Sequence, residues 1–209
     1  MGIFLKHGYN VKPPRWGSPA DVRYAIKINA EKIYDVDPNS IVLAMPLFWG
    51  LPLLDYSGKN NHGTNHGATY KDGSLLFDGV DDYVEFNQDI SLEFGTGNFS
   101  IHFKFKTSDK STNGMVSYGD RSDGAGWTAV IGANGNAKFL IDDGTTQIIS
   151  EDATDWADGS LHDYSVSVNK SGNQVIFIDG REVKADSVVA VGNIDNNDHD
   201  KIQVGRYIY

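Results

Sequence analysis

The loop between residues 118 and 127 carries side chains that could bind a sugar. Within ten residues it combines two aromatic rings, Tyr118 and Trp127, with the polar groups of Asp120, Arg121 and Asp123. A sugar presents apolar ring faces to aromatic side chains and hydroxyl groups to carboxylates and guanidinium groups. The loop is therefore predicted to bind a carbohydrate. The competing interpretation is that Trp127 begins a core strand and that the rest is an ordinary loop.

Motifs for catalysis are absent from the sequence. It contains no Gly-x-Ser-x-Gly nucleophile motif, no His-Glu-x-x-His zinc motif and no phosphate-binding loop. It has no cysteine, which removes thiol nucleophiles, disulfides and Cys-ligated zinc. A catalytic carboxylate pair assembled from distant loops stays open, because a retaining glycosidase needs only two such groups about 5–5.5 Å apart. The sequence thus favours a binding protein over an enzyme.

The acidic residues are the most informative part of the composition. The chain has 209 residues and a formal net charge of −10, with 23 Asp, 5 Glu, 16 Asn and 23 Gly. Asp, Asn and Gly favour turns whereas Glu favours helices, so this bias predicts short strands joined by many loops. The negative charge argues against nucleic acid as a partner. Loops rich in carboxylate and amide oxygens suit calcium better than softer metals.

Signals for export and membrane insertion are also missing. No run of 18 apolar residues occurs, and residues 1–8 lack the apolar stretch of a signal peptide. We therefore expect no membrane insertion. The compartment is not determined by the sequence, although an extracellular, cell-surface or virion location fits the other observations best.

Residues 1–40 are predicted to form an extension that precedes the main domain. Ser18 and Pro19 make a suitable helix start, with Ser as N-cap and Pro at the first helical position. Apolar residues at roughly helical spacing then predict a short amphipathic helix over residues 19–33. Its apolar face would pack on the main domain or on another subunit, so we expect a homo-oligomer or assembly contact through residues 1–40.

From residue 41 onward the hydrophobic pattern is that of β-strands. Residues 99–105 alternate Phe and Ile with Ser, His and Lys, as expected of a strand with one buried face. Segment 173–179 is apolar on both sides, which predicts a strand with both faces covered. About ten such segments, separated by Gly, Asn and Asp turns, predict an all-β, two-sheet antiparallel sandwich over residues 41–209.

Five sequence phrases, in this order within residues 46–207, resemble the laminin-G-like, concanavalin A-like lectin/glucanase superfamily. Each phrase alone is common, but the ordered set is specific. The phrases are DYSGKNNHGT at 55–64, LLFDGVDDYV at 75–84, FSIHFKF at 99–105, DGSLHDY at 158–164 and VIFIDG at 175–180.

This resemblance implies a jelly-roll sandwich with a lectin-like role. Such domains often hold a structural calcium ion, which the resemblance places at Asp78, Asp81 and Asp82, where a divalent cation would relieve repulsion between neighbouring carboxylates. The alternative is that Asp78 and Gly79 make a tight turn while Asp81 and Asp82 are solvated. The Glu-x-Asp pattern with which glycosidases of this fold place their carboxylates does not occur.

The sequence departs from the family pattern at two places. Leu161 stands where the family usually has Trp, and a final pairing strand is expected after residues 204–206, whereas the chain ends at Tyr209. A missing strand would leave an open sheet edge unless it is covered. We expect that place to be filled by residues 1–40 or a neighbouring subunit, or the chain to be truncated.

Three functions compete on these grounds. The favoured one is a non-catalytic module that binds a glycan or a cell-surface polysaccharide, for recognition or adhesion; it rests on fold resemblance. The alternative is a phage or virion protein that uses the lectin-like fold for assembly or host attachment. A glycan-active enzyme comes third.

Overall fold

A computed structural model of the chain describes the backbone of residues 2–4 and residues 37–45, 53–71, 74–87, 89–119, 124–195 and 201–205. These residues form fifteen β-strands and two short 3₁₀ turns, Pro38–Ser40 and Ile90–Leu92. The strands are β1 (Gly2–Phe4), β2 (Ile41–Ala44), β3 (Gly63–His66), β4 (Thr69–Lys71), β5 (Ser74–Leu76), β6 (Tyr83–Phe86), β7 (Phe99–Lys106), β8 (Asn113–Gly119), β9 (Ala125–Ile131), β10 (Ala137–Asp143), β11 (Gln147–Glu151), β12 (Leu161–Val168), β13 (Asn173–Ile178), β14 (Arg181–Ser187) and β15 (Ile202–Val204).

The strands build a two-sheet sandwich, which confirms the predicted fold class. One sheet has six strands in the order β14-β13-β12-β7-β1-β2, and the other has seven in the order β11-β10-β9-β8-β15-β6-β3. A separate hairpin joins β4 and β5. All pairs are antiparallel except those of β1, which runs parallel to both of its neighbours. The non-consecutive neighbours show that the chain crosses between the sheets repeatedly, as a jelly roll requires.

The core lies between the two sheets and is centred on aromatic side chains. Strand β7 has the alternating burial pattern that its sequence predicts, with Phe99, Ile101, Phe103 and Phe105 all buried. From the opposite sheet the indole of Trp127 is fully buried and lies 5.9 Å from the Phe99 ring, centroid to centroid. Every second residue of a strand thus points into the sandwich and packs against the opposite sheet, which fixes the register of each strand.

The loop of residues 53–62 closes one side of the sandwich along β2. The buried carboxylate of Asp55 accepts hydrogen bonds from the backbone N–H groups of Ala44 (2.9 Å) and Asn61 (3.0 Å) and from the N–H and hydroxyl of Ser57 (2.8 and 2.6 Å). The Asn61 amide donates to the Val42 carbonyl at 2.8 Å. This network satisfies edge groups of β2 that would otherwise be unpaired.

Four details of the sequence prediction need correction or completion. Residues 2–4 form a strand between β7 and β2, whereas the sequence prediction began the sandwich at residue 41 and offered residues 1–40 as one of the segments that could cover a sheet edge. The predicted helix at 19–33 lies outside the described residues. Strand β13 is not covered on both faces, because Val175 and Phe177 are only partly buried. Near the C-terminus, β15 pairs with β8 and β6 inside the seven-stranded sheet, so no open edge occurs there.

Among the described residues, no helix is both long and apolar enough to cross a membrane.

Candidate functional site

The turn of residues 78–82 connects β5 to β6 and is held together by its own carboxylates. One oxygen of Asp78 accepts the backbone N–H groups of Val80 (2.8 Å), Asp81 (3.3 Å) and Asp82 (3.4 Å). Asp82 accepts the backbone N–H of Asp78 at 2.9 Å. Gly79 has φ of +76°, which glycine adopts at low cost. The tight turn that the sequence analysis gave as an alternative therefore forms.

The same turn gathers three carboxylates in one place. One oxygen each from Asp78, Asp81 and Asp82 lies within 4.8 Å of the others. Hydrogen bonds from backbone N–H groups, that of Val80 above all, lower the pKa of Asp78, so this group stays ionised at neutral pH. Within the described part of the chain the Asp81 carboxylate accepts no hydrogen bond. The donor set contains oxygen only, which fits a hard cation such as calcium.

A groove of about 460 Å³ opens beside this turn. One wall is formed by residues 79–83 and the other by residues 112–114, with Gly205 between them. Gly114 is buried and Gly205 is half-buried, and the β8 strand has a register shift next to Gly114. Val80 is 84% exposed and lies at the groove's rim. We call this feature the acidic groove, because Asp81 and Asp82 line it.

The 118–127 loop does not present its aromatic rings to solvent. Trp127 is 0% exposed and Tyr118 is 2% exposed; the two rings stack on each other in the core, 6.1 Å apart. The Tyr118 hydroxyl is used in a hydrogen bond to the Asp195 carboxylate. The prediction that these rings stack on a sugar is therefore wrong, and the competing interpretation, a core strand, is correct. Asp120, Arg121 and Asp123 lie outside the described residues.

A buried histidine near the start of β12 links two loops at one end of the six-stranded sheet. His162 is 7% exposed, and its ring nitrogens lie 2.9 Å from an Asp179 oxygen and 3.2 Å from an Asp158 oxygen. Burial alone would lower the pKa of His162, but the hydrogen bonds and charges of Asp179 and Asp158 raise it. Both nitrogens can donate only when the ring is protonated, so the imidazolium holds the two loops together.

Protonation of His162 is expected to stabilise the domain as the pH falls. Because its folded pKa lies above the ordinary value, its contribution is complete below about pH 6.5 and is lost as the pH rises through the folded pKa. We expect the difference in denaturation midpoint between wild type and His162→Gln to shrink steadily from pH 6 to pH 9. A difference that stays constant or grows with pH would contradict this role.

A second buried cluster was not foreseen from the sequence. Lys170 is 8% exposed and donates from its ammonium group to the Gly192 carbonyl at 2.7 Å. Burial lowers the pKa of Lys170, while the charges of Asp143 and Asp195 oppose that change. Burial likewise raises the pKa of Asp195. The cluster ties the loops after β10, β12 and β14 together, but its Asn-Lys-Ser turn sequence looks like any surface turn.

Comparison with known proteins identifies the family. A sequence model described as Clostridium neurotoxin, N-terminal receptor binding, matches residues 52–209. The chain belongs to this family. The resemblance to laminin-G-like domains thus found the correct type of fold, but the family itself is the neurotoxin receptor-binding one. No curated protein matches the chain by sequence.

Solved structures share the fold of this family member at low identity. The binding domain of Paraclostridial Mosquitocidal Protein 1 matches with a TM-score of 0.61 and 17% identity over 73% of this chain and 41% of that one. The binding domain of botulinum neurotoxin serotype D matches with a TM-score of 0.60 and 16% identity, covering 80% and 43%. The binding domain of botulinum neurotoxin DC in complex with SialylT gives 0.59 and 17%, covering 81% and 44%. The chain thus spans less than half the length of these binding domains.

Proposed function

We propose that this protein is a non-catalytic receptor-binding module that recognises a cell-surface glycan. The family match over residues 52–209 carries the proposal, because the family is one of receptor-binding domains rather than catalytic ones. One structural neighbour was solved in complex with SialylT, which makes sialylated glycans the first ligands to test. A role in virion assembly or host attachment stays a prediction.

The acidic groove is the surface that we propose for the ligand. Sugars need hydrogen-bond acceptors and donors in a concave site, together with some exposed apolar surface. The groove offers the Asp81 carboxylate and the exposed Thr112 side chain, with half-buried Gly205 in its lining and Val80 at its rim. The 118–127 loop has its aromatic rings in the core, so Asp120, Arg121 and Asp123 would have to bind a sugar without them.

We further propose that Asp78, Asp81 and Asp82 bind a structural calcium ion. Three carboxylate oxygens lie close together, and backbone carbonyls or water would complete the six to eight ligands that calcium takes. An ion here would hold the turn that forms one wall of the groove. This chain's own part is to position the carboxylates through the hydrogen bonds of Asp78 and Asp82.

Calcium is expected to raise the thermal stability of the domain. Ligand that binds only the folded state adds about 2.7 kcal/mol when its free concentration is a hundredfold above Kd. The melting temperature should therefore rise with calcium, fall on adding chelator, and lose this response in Asp81→Asn. Glu182→Gln, which removes one exposed carboxylate from β14, is the matched control and should respond like wild type. Equal melting temperatures of the wild type in calcium and in chelator would contradict the calcium proposal.

A glycan array tests the groove and the loop against each other. We expect wild type and Glu182→Gln to bind the same glycans, and Asp81→Asn to lose at least about tenfold in affinity, which corresponds to about 1.4 kcal/mol. Arg121→Ala reports on the 118–127 loop. Binding that survives Asp81→Asn but is lost in Arg121→Ala would move the site from the groove to that loop.

A further inference from the structure

The edges of the two sheets differ in how well they are protected. An unprotected edge strand presents free N–H and C=O groups that can pair with another chain. Strand β2 is covered by the 53–62 loop. Strand β14 carries charged residues at positions 181, 182, 184 and 186. Strand β3 is four residues long and has no aliphatic side chain.

Strand β11 lacks these protections. Its sequence, Gln-Ile-Ile-Ser-Glu, has β-branched residues at its centre, no proline and no lysine, and its pairing with β10 has no bulge. Ile149 is 49% exposed and stands directly opposite Leu140 of β10. An exposed apolar residue on an unprotected edge strand is typical of a site where a further strand adds to a sheet.

The register of β11 shows which backbone groups are free. Asp152 donates from its N–H to the Ala137 carbonyl opposite it, and Asp143 donates to Thr146 in the same way. In an antiparallel ladder, hydrogen-bonded residue pairs alternate with pairs that are not hydrogen-bonded. The backbone N–H and C=O groups of Ile148 and Ser150 therefore point towards β10. The N–H and C=O groups of residues 147, 149 and 151 therefore face outward. Within the described chain no backbone group pairs with them, and β14, the neighbouring edge of the other sheet, is not bonded to β11.

The charges around β11 favour a basic partner over a second copy of this chain. Asp142 and Asp143 lie at the end of β10 beside Gln147, and Asp152 follows the other end of β11. Glu151 is paired with Lys138 at 3.1 Å. Asp142 and Asp152 are buried, but Asp143 at one end and Glu151 at the other reach the surface, so both ends of the edge carry an accessible carboxylate. The chain as a whole carries a net charge of −10. Two copies paired through β11 would bring these acidic groups together, whereas a basic segment would neutralise them.

We propose that β11 is a docking edge for an extended, basic peptide segment of a protein partner, which adds an eighth strand to the seven-stranded sheet. Main-chain hydrogen bonds to residues 147, 149 and 151 supply the pairing, and the exposed Ile149 supplies an apolar contact for a side chain of the peptide. The β11 edge is separate from the acidic groove, so this proposal and the glycan proposal can be tested independently of each other.

Backbone NMR of the whole chain tests the docking edge directly. The probe is an end-capped peptide that alternates Thr and Val between pairs of Lys. We expect it to shift the amide signals of Gln147, Ile149 and Glu151 and to slow their hydrogen exchange by about tenfold or more. The amides of Ile148 and Ser150, already bonded to β10, should change little. Shifts that are absent, or that map elsewhere, would overturn the proposal.

Two controls separate strand pairing from charge attraction. A peptide with the same side chains but N-methylated at every Thr and Val cannot donate backbone hydrogen bonds, so its affinity should fall at least about tenfold. Ile149→Pro removes an outward N–H and should also lose binding, whereas Ala185→Pro on the β14 edge should not. Equal binding of the methylated peptide would overturn the proposal, as would sedimentation that shows a dimer with these amides already protected.

Discussion

Replacing Trp127 by Ala is expected to lower the free energy of unfolding by about 3–5 kcal/mol, as for other large aromatic residues removed from a core. The indole is fully buried in β9 and stacks with Phe94 at 6.3 Å, Tyr118 at 6.1 Å and Phe139 at 6.1 Å. Its removal would leave a cavity that strands of two sheets cannot close without losing their register. Urea denaturation, followed by circular dichroism, measures the loss.

Trp127→Phe is the control for this prediction. An aromatic ring is retained, and the buried indole N–H, which has no hydrogen-bond partner among the described residues, is removed. We therefore expect a cost of only about 1 kcal/mol. If Trp127→Ala left the stability nearly unchanged and abolished glycan binding, the ring would be a ligand contact and its core position would be wrong.

Asp55→Ala is expected to lower the free energy of unfolding by about 3 kcal/mol. The carboxylate is 3% exposed and accepts four hydrogen bonds, two of them from the buried backbone N–H of Ala44 and Asn61. Hydrogen bonds to a charged group contribute more than neutral ones, and donors left unpaired in the interior carry their full desolvation cost. The loop of residues 53–62 would also release the edge of β2. Urea denaturation again measures the change.

The chain contains a matched control for Asp55. Asp109 accepts the N–H and hydroxyl of Ser111, both at 2.8 Å, just as Asp55 accepts those of Ser57. Asp109 is exposed and lacks the two long-range backbone donors. Asp109→Ala should therefore change stability far less than Asp55→Ala. Equal effects would show that the local Asp-x-Ser turn, and not the link to β2, accounts for the loss.

The fold was predictable because its signal is repeated along the chain. Alternation in residues 99–105 and the many Gly, Asn and Asp turns each predict strands and loops, and the structure confirms a two-sheet sandwich. The position of β1 in the sheet was not predictable. Three residues are too few to show an alternating hydrophobic pattern, and the parallel pairing of β1 depends on strands that are distant in sequence. The same limit hid the His162 and Lys170 clusters, which join residues far apart in sequence.

The candidate site was only partly predictable. The Asp78, Asp81 and Asp82 cluster is local in sequence, so its close approach could be foreseen. The opposite wall at residues 112–114 comes from another strand, and nothing in its sequence points to the groove. Trp127 misled the sugar prediction, because a Trp after a glycine-rich loop has the same sequence pattern whether it is exposed or begins a core strand. Burial decides between the two, and burial depends on the opposite sheet.

Binding of the labelled protein to cells before and after enzymatic removal of surface glycans tests whether a cell-surface glycan is the receptor. Sialidase and broader glycosidase treatments are applied in parallel, and Asp81→Asn and Glu182→Gln are measured beside wild type. We expect saturable binding by wild type and Glu182→Gln, a large loss after glycan removal, and weak binding by Asp81→Asn. Binding that glycan removal leaves intact would contradict the claim that a cell-surface glycan is the receptor.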